Sequence, residues 1–503
     1  MGRLRQPRSK RICGTRPRDL TRTTEYHLSA NQNESEVDAE LEPTISWLEH
    51  FRDRDHTKGS LYGSLLVLSL PLVATSIFGG VIFQMGDLKL ISTLGTDAMT
   101  AIIITNQTLR QVFIMFVMGA SFGAQGMVAR AIGNGDQEGA DHVAGQVILL
   151  GVGLSIFMAC FGIFVPREML AAMNVSPEVL EVGVPYVRLV MILNFGMIFV
   201  FLTNSILTGA GDTTTPFVVA VVQSLVGLFA EYCFIYGAFG FPAMGIEGAA
   251  LGLIVGHVVS TAFIVNTILR GKTRIHLRRR HLSPDYVVIK AIVKQAWPPA
   301  IQMISGFLVT LYFVRLMGSF GATAQAAYSI GLRLGMVGPM VAFPLAGATA
   351  TLIGQNLGAG DVKRAWMSLW SGLSVHATLM ISMAIALFFY RVPFLEAFSN
   401  DPDVIELGDE MLYYQSLTFV CLAFYFVFFR ALQGAGDVMF AMFASLANSI
   451  FNIALGTYLA INLDYGASGI FISGLVSSAL VTVIMGAWIS TGRWAKRHAR
   501  AGV

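Results

Sequence analysis

Beginning at Leu61, apolar stretches of about 20 residues recur to the end of the chain, each long enough to cross a ~30 Å hydrocarbon core as a helix. Twelve can be counted, centred near residues 77, 112, 152, 198, 226, 256, 306, 342, 380, 421, 449 and 479. This pattern predicts an all-α polytopic membrane protein, because in lipid a spanning helix satisfies its own backbone hydrogen bonds. It excludes a string of soluble domains, which a length of 503 residues would otherwise allow. Only 13% of the residues are charged, about half the ~25% usual in soluble domains. Four scattered cysteines (Cys13, Cys160, Cys233, Cys421) form neither a disulfide framework nor a CxxC pair.

Charge is distributed unevenly. Residues 1–59 hold 11 Lys/Arg and 10 Asp/Glu with no signal-peptide apolar run, and are expected to form a disordered cytoplasmic tail, with a short amphipathic helix over Thr44 to Phe51. Between the spans, basic residues crowd the even gaps and the C-terminus. Eight lie in the sixth gap (Arg270, Lys272, Arg274, Arg278, Arg279, Arg280, Lys290, Lys294) and four in the tail (Arg493, Lys496, Arg497, Arg500). The odd gaps hold Lys89, Arg167 and Arg391, and the ninth is acidic. The positive-inside rule therefore places both termini in the cytoplasm.

The second constraint is a repeat. Gly209-Ala210-Gly211-Asp212 recurs 225 residues on as Gly434-Ala435-Gly436-Asp437, and Gly133-Asn134-Gly135-Asp136 recurs at the same offset as Gly358-Ala359-Gly360-Asp361. The chain is thus expected to be two six-helix lobes, 60–270 and 291–490, joined by a cytoplasmic linker at 271–290 and followed by a basic tail at 491–503. Six helices are an even number, so both copies enter from one side and form a parallel pseudo-two-fold repeat with a cavity between them. Such lobes can expose that cavity alternately to the two sides, which points to a secondary transporter. In the GxGD turns, Gly209, Gly211, Gly358, Gly360, Gly434 and Gly436 read as helix stops, and Asp212, Asp361 and Asp437 as caps for the next helix.

These motifs resemble a family. Gly354-Gln355-Asn356-Leu357-Gly358-Ala359-Gly360-Asp361 with Lys363-Arg364-Ala365 looks like the GQN-x-GAG-x-x-x-RA signature of the MATE (multidrug and toxic compound extrusion) transporters. Gly209 to Pro216 resembles their GxGDTRTP motif, with Thr214 in place of Arg, and Gly245-Ile246-Glu247-Gly248-Ala249-Ala250 their GIxGAA motif. The resemblance covers about residues 60–490. It implies a V-shaped pair of lobes in a multi-pass protein of the bacterial inner membrane. It also implies efflux of bulky, often cationic or amphiphilic compounds in exchange for inward H⁺ or Na⁺. On this reading the protein is no enzyme and a monomer, its partners are small organic substrates and membrane lipid rather than nucleic acid, and it needs no cofactor or bound metal beyond the coupling ion.

Ionisable groups inside a membrane are costly and therefore functional candidates. Asp87, eight residues before Gly95, and Glu231, eight before Phe239, should lie at similar depth in the first lobe and form the ion-coupling site. Two carboxyls there could share a proton or ligate Na⁺. The family's first-helix coupling acid falls at Asp87, and the fifth-helix acid of its DinF-like branch at Glu231; Gly227 stands where that branch has Asn. The second lobe has Phe313 and Gly456 at the equivalent positions and lacks the acids of the NorM branch. Asn194, Gln223, His257, Phe307, Tyr312, Tyr328, Met336 and Tyr425 are candidates for lining a substrate cavity, the aromatics through cation–π contacts. Pro71 is expected to kink the first helix. Two rivals remain: a lipid-linked precursor flippase working through Arg110, Arg315, Arg333 and Arg430, and an intramembrane enzyme using Ser121 of a GxSxG pattern with His257 or His376. No Walker A sequence is present.

Overall fold

The computed structural model describes residues 55–498, so most of the N-terminal tail, including Thr44 to Phe51, lies outside the described residues. Twelve membrane-length elements follow: α1 Leu61–Leu94, α2 Thr96–Gly133, α3 Gln137–Phe164, the bent pair α4 (Pro177–Ile192 and Phe195–Ala210), α5 Thr214–Tyr236, α6 Gly245–Leu269, α7 Tyr286–Ser319, α8 Ala322–Gly358, α9 Val362–Glu396, α10 Pro402–Ala435, α11 Val438–Asn462 and α12 Gly466–Ser490. No strand occurs among the described residues. Helices α1–α6 and α7–α12 make two lobes, whose apolar cores meet where Ile292 and Ala296 of α7 join the first-lobe cluster and Leu65 and Leu68 of α1 pack on Leu345 and Leu352 of α8.

Local chemistry sets the boundaries. Asp136 and Asp361 accept from the N–H three residues on (2.8 Å each), capping α3 and α9. Asp212 caps α5 through Thr215 N (3.0 Å) and Thr215 Oγ1 (2.7 Å). Gly211 (φ 93°) and Gly436 (φ 84°) end α4 and α10 in the left-handed region, where a Cβ is strained. Asp437 departs from the expected cap. Its side chain makes no capping bond and instead accepts from Trp488 Nε1 of α12 at 2.8 Å.

The end of the bundle carrying the GxGD turns, the motif face, is where the lobes are clasped. Gln355 Nε2 donates to Gly209 O (3.1 Å) and, one repeat earlier, Arg130 Nη1 donates to Gly434 O (2.8 Å). Donors and acceptors are both 225 residues apart, so the clasp is itself two-fold symmetric. Thr351 Oγ1 adds a bond to Thr208 O (3.1 Å). Gly209 O and Gly434 O are last-turn carbonyls of α4 and α10 without a partner in their own helices, whereas Thr208 O also accepts from Gly211 N (3.0 Å). Close approach is built in: a Cβ at Gly133 would collide with Gln355 O, and one at Gly358 with Arg130 O. Deeper in, Arg430 (3% exposed) donates to Gln433 Oε1 (2.5 Å) and to Gln125 Oε1. Its guanidinium lies 4.3 Å over the Phe122 ring and 5.5 Å over Phe343. The hydrogen bonds joining the lobes gather in this half of the bundle; on α8, residues 345–357 are buried while Met336 and Val337 are exposed.

The segment at 271–290 is an ordered strap rather than a free tether. Gln146 Nε2 donates to His281 O and Ser283 O (2.8 Å each), Asp141 Oδ1 accepts from His276 N (2.8 Å), and Ile275 is buried. Asp285 caps α7, five residues before its expected start, and meets His142 Nε2 at 3.2 Å. That hydrogen bond, the largest of its causes, holds the Asp285 carboxyl below the ordinary aspartate value. Residues 55–59 also differ from a free tail: Arg364 donates to Gly59 O (3.0 Å) and His56 is buried beside Gly211.

Candidate functional site

Helix α1 departs from regular α geometry over Ile77–Ile82, a π-helical turn containing Gly79 and Gly80. Pro71 does not break the helix. It lacks the N–H that Val67 O would take, and the Thr213 hydroxyl from the first GxGD turn reaches that carbonyl at 3.4 Å. Beyond the π turn, α1 runs along α5: Ser224 Oγ donates to Phe78 O (3.2 Å), Phe83 covers Gly227, and Thr93 Oγ1 meets Tyr236 OH at 2.8 Å. This register sets Asp87 against Glu231. Their carboxyls face each other and interact directly. Neither forms a hydrogen bond of good geometry: Oδ1 of Asp87 and both oxygens of Glu231 are buried without a partner. Glu231 is fully buried, its backbone pressed by Gly252 of α6, whereas Asp87 is half-buried. Lys89 points to the exposed side of α1 and forms no ion pair with Asp87.

A second π turn, Thr105–Leu109 on α2, precedes Arg110. It brings Arg110 into electrostatic contact with Asp87 and with Tyr186 of α4. Arg110 Nη1 donates to Asn106 Oδ1 (3.1 Å), and Asn106 Nδ2 donates to Tyr186 OH (2.9 Å). The Nε of Arg110 is buried without an acceptor. His257 of α6 completes the group. Its Nδ1 lies 2.7 Å from Leu253 O, and its Nε2 3.3 Å from the side-chain amide nitrogen of Gln223. Tyr186 escaped sequence reasoning because nothing local marks it. Arg110 was visible only as a cation, with no sign that it faces the acids.

The structure brings Gln223 and His257 to the acid cluster but removes Asn194 from it. Asn194 (3% exposed) sits at the 46° bend of α4. There its amide donates to Ser155 O (3.2 Å) and Met191 O, filling the gap in the helix ladder. In the second lobe, Tyr328 lines a cavity of about 190 Å³. Phe307, Tyr312, Met336 and Tyr425 are not on its wall. Tyr312 OH meets Thr457 (2.7 Å), Tyr425 OH meets Ser445 (3.2 Å) and Gln302, and Met336 is exposed. Arg430, named for the flippase reading, is consumed by the clasp. Ser121 is buried within α2 with an unpartnered Oγ, not on an elbow beside a histidine. Among the described residues, no group of three or more His, Cys, Asp or Glu could hold a metal ion.

Comparison with known proteins decides the family. The sequence profile described as MatE matches residues 71–233 and 298–458, one stretch in each lobe and together more than half of the chain. The chain belongs to the MATE family. A probable multidrug resistance protein NorM from Thermotoga maritima is 24% identical over 436 residues, 86% of this chain and 93% of that protein. An FAD transporter from Shewanella oneidensis is 26% identical over 412 residues, 78% and 88% of the two chains. Among solved structures, a MATE protein in the bent conformation superposes with a TM-score of 0.82 at 18% identity, covering 89% of this chain and 98% of that one. A MOP superfamily transporter from Pyrococcus furiosus, described as having a binding pocket of reverse polarity, gives 0.79 at 19%, covering 89% and 98%. At these identities the structural likeness establishes the two-lobed MATE fold.

Proposed function

We propose that this MATE protein is an efflux antiporter that exchanges an organic cation or cationic amphiphile for inward protons, with Asp87 and Glu231 as the coupling pair. The observation that carries the proposal is the facing of a half-buried and a buried carboxyl whose buried oxygens have no hydrogen-bond partner among the described residues. Two like charges in low dielectric repel strongly. The pair is therefore stable only when it holds a cation, and a proton and the ammonium of a guest compete for the same oxygens. Mutual exclusion of this kind is what antiport requires. Half-buried Asp87 is the point of entry, and buried Glu231 the partner that shares the proton. Protons fit better than Na⁺, because Gly227 offers no side-chain oxygen on α5 and Arg110 adds a positive charge beside the site.

Arg110 also sets the charge balance. Two carboxylates against one guanidinium leave one net negative charge, which a single univalent cation or a single proton neutralises. With both termini cytoplasmic, as the basic gaps indicate, the clasped motif face is the cytoplasmic one. The unpartnered Nε of Arg110 supports a second reading, in which an anionic headgroup binds there in a flippase. The deciding experiment measures efflux of a fluorescent cation from proteoliposomes with ΔpH and ΔNa⁺ imposed separately. ΔpH-driven exchange that vanishes in Asp87→Asn while the protein still inserts is expected. Exchange surviving in that variant, or ΔNa⁺ alone driving it, refutes proton coupling at this pair.

A further inference from the structure

The 190 Å³ cavity of the second lobe is the repeat counterpart of the acid cluster. Phe313 on its wall corresponds to Asp87, Ser478 to His257, and Met411 to Tyr186. The wall contains no Asp, Glu, Lys, Arg or His. Its polar side chains are all hydroxyls and amides: Thr310, Tyr328, Tyr414, Gln415, Thr418, Asn452 and Ser478. Tyr328 decides how the space is read. The residue is 7% exposed and its ring stacks on Phe471 (6.5 Å, 13°), yet no described residue partners its hydroxyl, which borders the cavity. Gln415 likewise brings an amide without a partner, and Asn452, whose Oδ1 is taken by Ser473 (2.9 Å), keeps its N–H groups free.

We propose that this cavity is a second guest site, for a small uncharged aromatic molecule bearing one polar group, of the phenol or indole class. An apolar cavity of roughly 150 Å³ accommodates benzene, so this one has room for one or two fused rings. A cation is disfavoured because it would be desolvated with no counter-charge on the wall; Glu410, nearby on α10, is engaged by Ser468 Oγ (2.7 Å) and does not line the cavity. The ring lies against the Tyr328, Phe313 and Phe471 rings that line the cavity, and its hydroxyl or N–H meets the Tyr328 hydroxyl and the Gln415 amide. This site is independent of Asp87 and Glu231, so it goes beyond the coupling mechanism above and does not rest on it.

Equilibrium dialysis of indole against the purified full-length protein in nanodiscs tests the proposal, with tetramethylammonium as the charged control. Saturable indole binding at one site, unaffected by tetramethylammonium, is expected. Tyr328→Phe removes only the hydroxyl and should weaken binding about three- to tenfold, the worth of one neutral hydrogen bond. Gly474→Leu should abolish it, since a Cβ at Gly474 meets nothing within 4 Å and the side chain can extend into free space without moving the wall. Unchanged thermal unfolding of both variants shows that the fold is intact. Binding should persist in Asp87→Asn, which separates failure here from failure of the coupling pair. Absence of saturable indole binding to the wild type, binding unchanged in both cavity variants, or loss of binding in Asp87→Asn would each overturn it.

Discussion

In the first lobe, positions 87 and 231 carry carboxyls and 257 a histidine; one repeat later the same places hold Phe313, Gly456 and Ser478. The backbone frame is shared down to the clasp, in which equivalent donors reach equivalent carbonyls. The polar content of the two pockets has nonetheless separated completely. Sterics enforce the separation. A Cβ at Gly456 would lie 2.7 Å from Ser473 Oγ and 2.8 Å from the Phe313 ring, so the phenyl group fills the volume that the acid pair occupies in the other lobe. The difference teaches that the repeat keeps the clasp in both halves while charged groups occupy one pocket only, which is the pattern the proposed single-lobe coupling needs.

Four experiments would break or sharpen that contrast. The largest effect is expected at the acid pair: Asp87→Asn should reduce ΔpH-driven efflux to background, while Phe313→Leu in the second lobe should leave its proton dependence unchanged. Loss of that dependence in Phe313→Leu would show that both lobes couple. Next, Gly133→Val places a branched side chain against Gln355 O. Overpacking of this kind costs about 1–3 kcal/mol, a shift of roughly five- to hundredfold toward a motif face that is open, read as faster thiol labelling of Thr351→Cys. Third, Arg110→Gln removes the single fixed positive charge, so exchange of a univalent cation should take two protons rather than one and become sensitive to membrane potential; an unchanged ratio would remove Arg110 from the charge balance. The smallest effect concerns Asp285, whose carboxyl is held below its ordinary value by His142. A depressed folded value stabilises fully above the ordinary aspartate value and is lost as pH falls through the folded one. Amide exchange at Val287 and Val288, which Asp285 caps, should therefore accelerate only below about pH 4, and Asp285→Asn should flatten that dependence.

How much of this was legible depends on range. The twelve spans and the GxGD repeat were readable because hydropathy and glycine stops act within one segment. Asp136, Asp212 and Asp361 cap as their local spacing demands. Asp437 does not, because Trp488 from a helix 51 residues away competes for the same carboxylate. The pairing of Asp87 with Glu231 followed from counting residues from each outer turn, since both helices start from matched ends. The place of Arg110 was hidden by the π turn just before it, which shifts the helix face in a way that no residue pattern announces. Asn194 shows the complementary ambiguity: a polar residue in an apolar run marks either a cavity or a backbone defect, and the amide of this one donates to backbone oxygens at a bend.

The clasp carries a final implication for how such a molecule can cycle at all. Its bonds at the GxGD turns end on main-chain oxygens of helix ends, whereas the deeper bonds of Arg430 end on the side-chain oxygens of Gln125 and Gln433. Solvent offers a donor of the same kind to a helix-end carbonyl, so parting the outer bonds costs little, whereas the buried contacts of Arg430 with Gln125 and Gln433 have no such substitute. On the proposed mechanism, an ion bound in the first lobe has to offset the loss of those deeper contacts before the motif face can open.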